Sequence, residues 1–371
     1  MIRWGIWATG TIARQVASDF RLVRGAALHA VASRKIERAK SFASRYGVVR
    51  FYEGLEPLLR DPEVAAIYIA TPNHRHLADC LACIEAGKAV LCEKPFALSL
   101  AQAQRIVTAA RERRVFCMEA MWTRFIPAVV EAKRWIDSGA IGAVRLVQGN
   151  FAYPVLAGPN SRFFDPKLGG GALLDRGVYL ISIAQHLLGS PQSVRGIACI
   201  GASGVDEQSA YQLVWPDGAM ADLSASLRVY GSNELIIAAE DGLLRLPEPF
   251  YRAHRLILKS HPRRHFVADG PDPPKTRVAQ KIFQTVHQLP AAGLLQRRLG
   301  PLLTVFRRGR VRTLPFAGNG YQFELSEVTR CLREKRTESP VMSLDDSLAV
   351  MRTMDALRLQ WGLTYPQEGS C

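Results

Sequence analysis

Lys94 stands where an apolar run, Ala89-Val90-Leu91-Cys92-Glu93, gives out, and Pro95 follows it directly. A cation at the end of a buried strand can hydrogen-bond a substrate oxygen and lower the pKa of a neighbouring acid. Proline restricts the residue before it to an extended backbone, which helps aim the lysine. A second pair, Asp175 and Tyr179, lies in the run GGGALLDRGVY at spacing i, i+4, so on a helix both point to one face. A free phenol has a pKa of about 10, too high for easy proton exchange near neutrality. A lysine cation beside it would stabilise the phenolate and bring it towards working range. Asp175 would then orient the substrate or the lysine, and the glycines at 169–171 would let a ligand approach the backbone.

Such side chains need strand ends and a helix start to hold them. Over the first 120 residues, apolar runs at 2–8, 27–33, 64–71, 89–95 and 115–118 alternate with helical patterns at 12–20, 35–47, 74–87 and 100–114. That rhythm predicts an α/β fold with a doubly wound parallel sheet. Beyond it come a helix at 126–139 and longer alternating segments at 144–153, 193–201, 210–229 and 234–246, with Pro-Asp-Gly and Glu-Asp-Gly as tight turns. Helical patterns at about 172–188, 321–335 and 343–361 complete the chain. The division expected is an N-terminal Rossmann-type domain, 1–121, and a C-terminal α+β domain on an open antiparallel sheet, 122–371.

The first turn reads Ala8-Thr9-Gly10-Thr11-Ile12-Ala13. In the phosphate-binding pattern G-x-G-x-x-G/A, Gly10 holds the central position, Ala13 the third, and Ala8 replaces the first glycine. The helix N-terminus at Thr11-Ile12 would face a pyrophosphate. The second strand ends in Ser33-Arg34-Lys35, followed by Arg38, with no carboxylate for ribose hydroxyls. A hydroxyl and guanidinium groups suit a 2′-phosphate, so NADP is expected ahead of NAD.

Bulk properties narrow the classes. The 371 residues are 48% hydrophobic and 22% charged, ordinary for a globular chain with a real core. Seven scattered cysteines read as reduced thiols in a cytoplasmic setting, and Cys80-x-x-Cys83 as two buried positions of a helix. The net charge of +15 is local: residues 252–312 hold 14 Lys and Arg against Asp269 and Asp272, net +12. That confinement, without a recognition motif, argues against nucleic acid as a partner.

The ordered set ATGTIA, TPNHRH, EKP, MEAMWTRFIP, GGGALLDRGVYLI and GNGYQFE resembles the glucose-fructose oxidoreductase / inositol dehydrogenase family of NAD(P)-dependent oxidoreductases. Within it, the dimeric dihydrodiol dehydrogenases and NADP-dependent xylose dehydrogenases are most similar. The resemblance implies that Lys94 sits between nicotinamide and substrate, with Asp175 and Tyr179 beside it. It places Thr71, Pro72, Asn73, His76 and Glu93 along the cofactor, and Trp122, Arg124, Phe125 and Arg162 along the substrate. His74 and His76 are then no metal pair, and no metal is assigned. A homodimer through the open sheet face is implied as well.

The chain departs from the family in a basic insertion at about 259–312. It carries two apolar stripes, Val278-Ile282-Val286-Leu289 and Leu295-Leu299-Leu302-Leu303-Phe306. Stripes flanked by Arg and Lys fit either an elaboration packed on the domain or peripheral contact with an anionic membrane. The expected activity is hydride transfer between NADP and a secondary alcohol or ketone of a sugar-like or cyclic diol substrate. Two rivals stand beside it: NAD-dependent redox-assisted glycoside cleavage, and a regulatory protein that binds NADP without turnover.

Overall fold

The structure is a computed structural model and describes residues 1–158, 161–260 and 310–370. The basic insertion lies almost wholly outside the described residues.

Strands β1 (Ile2–Trp7), β2 (Ala26–Ser33), β3 (Arg50–Glu53), β4 (Ala66–Ile69), β5 (Ala89–Glu93) and β6 (Cys117–Ala120) form one sheet in the order β3-β2-β1-β4-β5-β6. Every neighbouring pair is parallel. The central strands are buried on both faces, as continuous runs such as AIYI and AVLCE require. Helices α1 (Thr11–Asp19), α2 (Ile36–Tyr46), α3 (Glu56–Arg60), α4 (His76–Glu85) and α5 (Leu100–Arg113) make the crossovers. Helix α2 stops at Gly47, which takes φ +67, and Ser99 caps α5 by accepting from Gln102 N–H. The short β3 and α3 were not expected, since four or five residues carry no readable period.

Helix α6 (Pro127–Asp137) leads into the second sheet: β7 (Val144–Ala152), β8 (Ser193–Ile200), β9 (Asp206–Val214), β10 (Met220–Ser226), β11 (Leu235–Ala239), β12 (Gly242–Leu246), β13 (Arg255–Ser260) and β14 (Arg310–Thr313). Their order is β14-β13-β12-β11-β7-β10-β9-β8. The sheet is mixed, not wholly antiparallel, because β10 runs parallel to β7. Helix α7 (Val178–Leu188) lies between them in sequence, long enough to bring the chain back in the same direction. On one face Gln148, Asp222, Gln212 and Arg195 lie in cross-strand register and are exposed. The opposite face packs α6 and α7.

Helix α8 (Tyr321–Arg333) packs on α1, and α9 (Leu344–Trp361) packs on α5 and β6 of the first sheet as well as on α7 and β8. The last helix therefore spans both halves. No helix among the described residues is long and apolar enough to cross a membrane.

Asp206, fully buried at the start of β9, fastens the segment before α7: its Oδ2 accepts from Leu173 N–H (2.8 Å) and Ser209 Oγ (3.2 Å). Burial pushes its carboxyl up to about 7. An unfolded Asp titrates near about 3.9. Between those values the folded chain holds a proton that the unfolded chain has lost, so stability falls as pH rises through this window. Asp206→Asn keeps an acceptor for Leu173 and is expected to flatten that decline, measured as urea midpoints from pH 4 to 8. A slope equal to the wild type would remove Asp206 as its source.

Candidate active site

Strands β1, β4 and β5 are neighbours and end at the same edge, so the turns after them converge. After β1, Ala8 holds φ +97, a left-handed conformation that glycine would take without strain. Gly10 caps α1 at φ −70, and a Cβ on it would meet nothing within 4 Å. Neither backbone conformation nor packing requires glycine there, so the open space fits a pyrophosphate at the helix N-terminus. The first turn of α1 has no acidic residue to oppose one. Gly10→Ala is accordingly expected to leave stability within about 0.5 kcal/mol, as at unconstrained surface sites, yet weaken both NADPH and NADH binding. Thermal melts and nicotinamide fluorescence titrations check the two halves.

At the end of β2, Ser33 is buried, while Arg34 and Arg38 are exposed and make no ion pair among the described residues. The fit to a 2′-phosphate therefore rests on the two guanidinium groups.

The turn after β4 is fastened by two side-chain hydrogen bonds. Thr71 Oγ1 donates to Asp79 Oδ2 of α4 (2.8 Å), Asn73 Nδ2 donates to Gly169 O (3.0 Å), and Pro72 is exposed. His76 is fully buried, with Nδ1 2.8 Å from Pro95 O and Nε2 3.0 Å from Thr71 O. Both ring nitrogens thus face backbone carbonyls, and the one that carries the proton donates. The ring ties the turn after β4 to the turn after β5, and the expectation that it faces the cofactor is corrected. Glu93 is buried, accepts from the Tyr68 hydroxyl and accepts from Lys94 N–H (3.1 Å). It shapes the lysine turn from within.

Lys94 Nζ donates to the Asp175 carbonyl (2.7 Å) and to Asp175 Oδ1 (3.3 Å) and lies 4.7 Å from the centre of the Tyr179 ring. Residues Leu173–Gly177 form a π-helical turn that runs directly into α7, and this turn carries Asp175 to the lysine. Burial alone would raise the Asp175 carboxyl, but Lys94, Arg162 (3.2 Å) and Arg176 (3.7 Å) outweigh it and hold the carboxyl at about 2. Tyr179 differs from expectation. Its hydroxyl accepts from Trp122 Nε1 (3.2 Å), and burial, with Tyr321 and Glu93 nearby, pushes the phenol well above its ordinary value. The ammonium touches the ring face, so the phenol is a neutral hydroxyl here, not a lysine-stabilised phenolate.

The glycine run also serves a different end. A Cβ on Gly169, Gly170 or Gly171 would overlap Leu98, the Phe163 carbonyl or Asp206 respectively. Close packing against the protein, not ligand approach, demands glycine there.

Trp122 lies in the site, with ring contacts to Tyr179 (6.4 Å), Tyr251 (6.1 Å) and Tyr321 (4.9 Å). Phe151 of β7 completes the wall, 5.3 Å from Tyr179 and stacked on Tyr251 at 4.5 Å. Phe151, Tyr251 and Tyr321 are site residues that sequence reasoning missed. The alternation of β7 could have placed Phe151 inward, whereas Tyr251 sits in a short turn, Phe250–Arg252, that no pattern marks. Arg162 is half-exposed at the rim. Arg124 is corrected: it is fully buried, bonded to Ser182 Oγ (2.9 Å) and O (3.2 Å), Val341 O (3.2 Å) and Asp346 (3.2 Å). It joins α7 to α9 and has no path to substrate. Phe125 is buried and among the described residues shares no ring contact with the aromatic wall. A cluster of metal-ligating types, His29-Asp61-Glu63, lies far along β2 from this edge and is filled by ion pairs to Arg3 and Arg50.

A parallel sheet with an open glycine turn at the first helix, and a half-buried lysine and aspartate beside a buried tyrosine, fits an NAD(P)-dependent oxidoreductase. Comparison with known proteins agrees. Residues 2–121 match the model of the oxidoreductase family with NAD-binding Rossmann fold, and residues 129–245 match the GFO/IDH/MocA C-terminal domain. The chain belongs to the GFO/IDH/MocA oxidoreductase family. It is 31% identical to trans-1,2-dihydrobenzene-1,2-diol dehydrogenase of Danio rerio over 99% of both chains. Among solved structures, a 3-ketoreductase from Actinomadura kijaniata in complex with TDP-benzene and NADP has a TM-score of 0.73 at 23% identity over 96% of each chain. A levoglucosan dehydrogenase in complex with NADH and levoglucosan has a TM-score of 0.77 at 22% identity over 97% of each.

Proposed function

We propose that the protein is an NADP-dependent oxidoreductase that interconverts a ketone and a secondary alcohol on a ring-shaped, sugar-like or diol substrate. The observation that carries this reading is the convergence of Lys94 Nζ, Asp175 and the Tyr179 ring behind an aromatic wall. The bound nicotinamide supplies or accepts hydride at the reacting carbon. Tyr179, kept protonated by burial, donates its hydroxyl proton to the substrate oxygen in the reductive direction. At rest the phenol is neutral, and only in the moment after donation does the Lys94 ammonium, 4.7 Å from the ring centre, offset the transient negative charge until a proton returns. Asp175, ionised throughout, holds Lys94 in place. Trp122, Phe151 and Tyr251 present apolar faces suited to a ring, and Arg162 offers donors at the rim. On this reading Gly10, Arg34 and Arg38 hold NADP, supported by the open space at Gly10 and the exposure of both arginines. The relative that acts on a dihydrodiol and the neighbours that hold NADP, NADH and a sugar support the substrate class. Pairing through the exposed sheet face would make the enzyme a dimer, for which sedimentation is the measurement.

The test is a screen of cyclic diols, aldoses and their keto forms with NADP(H) and NAD(H), following absorbance at the reduced nicotinamide band. Turnover of a ring diol or sugar with NADP(H) is expected. Tight cofactor binding without turnover of any such compound would favour the regulatory alternative.

A further inference from the structure

The turn that carries Lys94 is held by three buried side chains, one on the peptide that enters Lys94 and two on the peptide that follows Pro95. Glu93 accepts from Lys94 N–H (3.1 Å), His76 Nδ1 lies 2.8 Å from Pro95 O, and Glu119 Oε1 accepts from Phe96 N–H (3.0 Å). Phe96, Ala97 and Leu98 are all fully buried, so Phe96 N–H has no access to water. A buried amide without a partner costs about 1–3 kcal/mol, and a chain will shift to avoid that. Glu119 is the partner, and β6 is the element that aims it: Glu119 pairs with Cys92 across the two parallel strands, next to the exit of β5.

Glu119 is itself enclosed. It is 1% exposed, with the Arg124 guanidinium, the His76 ring and the Ser347 hydroxyl of α9 around it, and burial pushes its carboxyl up to about 7. Nothing about folding alone requires an acid at this point of a core strand, since burying a carboxyl is costly.

We propose that Glu119 is a positioning residue for the reaction: it holds the peptide after Pro95 and thereby fixes the direction in which Lys94 reaches Asp175 and Tyr179. This rests on the reading of Lys94 as the site lysine. A small misplacement of a group at the reacting centre can cost about 100-fold in rate.

Four variants test it: Glu119→Met, which keeps volume and removes the acceptor, Glu119→Gln, which keeps the acceptor, Lys94→Ala, and the double variant Glu119→Met/Lys94→Ala. Each is measured for kcat, KM and NADPH dissociation constant. Glu119→Met is expected to lose about 10- to 100-fold in kcat with NADPH binding unchanged, and Glu119→Gln to recover most of it. The double variant is expected to be no slower than Lys94→Ala, because a residue acting through Lys94 has nothing left to act on. Losses that multiply in the double variant, or a Glu119→Met enzyme of wild-type kcat, would overturn the proposal. Full activity in Lys94→Ala would instead overturn the reading of Lys94.

Discussion

Tyr179→Phe is expected to lower kcat by about 10²–10⁴-fold, the range for loss of a positioned proton donor, while the dissociation constant for NADPH stays at the wild-type value. The substitution removes one oxygen, and that oxygen accepts a single hydrogen bond, from Trp122 Nε1. The ring remains and keeps its contacts with Trp122, Phe151 and Tyr251, so the aromatic wall is preserved. Binding of a ring substrate should change little, and the loss should fall on kcat. If instead KM rose and kcat held, Tyr179 would be a binding residue and the proton would move elsewhere. The pH profile is a second check. A phenol held well above its ordinary value stays protonated through neutrality, so the reductive rate should show no loss of this acid between pH 6 and 9.

The second large effect concerns the nucleotide. Arg34→Asp should weaken NADPH about 100-fold and leave NADH within a small factor. A charge-assisted hydrogen bond to a phosphate is worth about 1.5–3 kcal/mol, and each 1.4 kcal/mol is about tenfold in affinity. The replacement also sets a carboxylate against the 2′-phosphate, and that same carboxylate can serve the ribose hydroxyls of NADH. Arg34 is exposed and forms no ion pair among the described residues, so the fold does not depend on it. Equal weakening of both nucleotides would place the 2′-phosphate away from β2. Tighter NADH than NADPH in the unmodified enzyme would make NAD the cofactor.

Much of the architecture was legible in the chain itself. Apolar runs and helical spacing placed β1, β2, β5, α2 and α5 within a residue or two, because strands buried on both faces and amphipathic helices leave readable periods. Asp175 and Tyr179 at i, i+4, and Lys94 before Pro95, became candidates when their residue types were joined to the surrounding motifs and the family resemblance. What sequence could not supply is which partner each polar group meets across the fold. Arg124 looks like a substrate ligand until α7 and α9 close around it, and His76 like a cofactor contact until the carbonyls of Pro95 and Thr71 flank its ring. The glycines at 169–171 read as room for a ligand, yet the nearby Phe163 carbonyl and, from distant parts of the chain, Leu98 and Asp206 fill that room.

The same division holds for reactivity. Residue type sets the ordinary pKa, but the shift depends on burial and on charges brought together over long sequence separations. Asp175 is held at about 2 by a lysine 81 positions away, and Glu119 is pushed up to about 7 by burial between β6 and α9. Local sequence thus determined the elements and the reactive residue types, because both follow from near neighbours. The tertiary structure alone decided that the phenol is kept neutral by burial, that the lysine rests on a carboxylate, and that an unremarked glutamate holds the turn that carries the lysine.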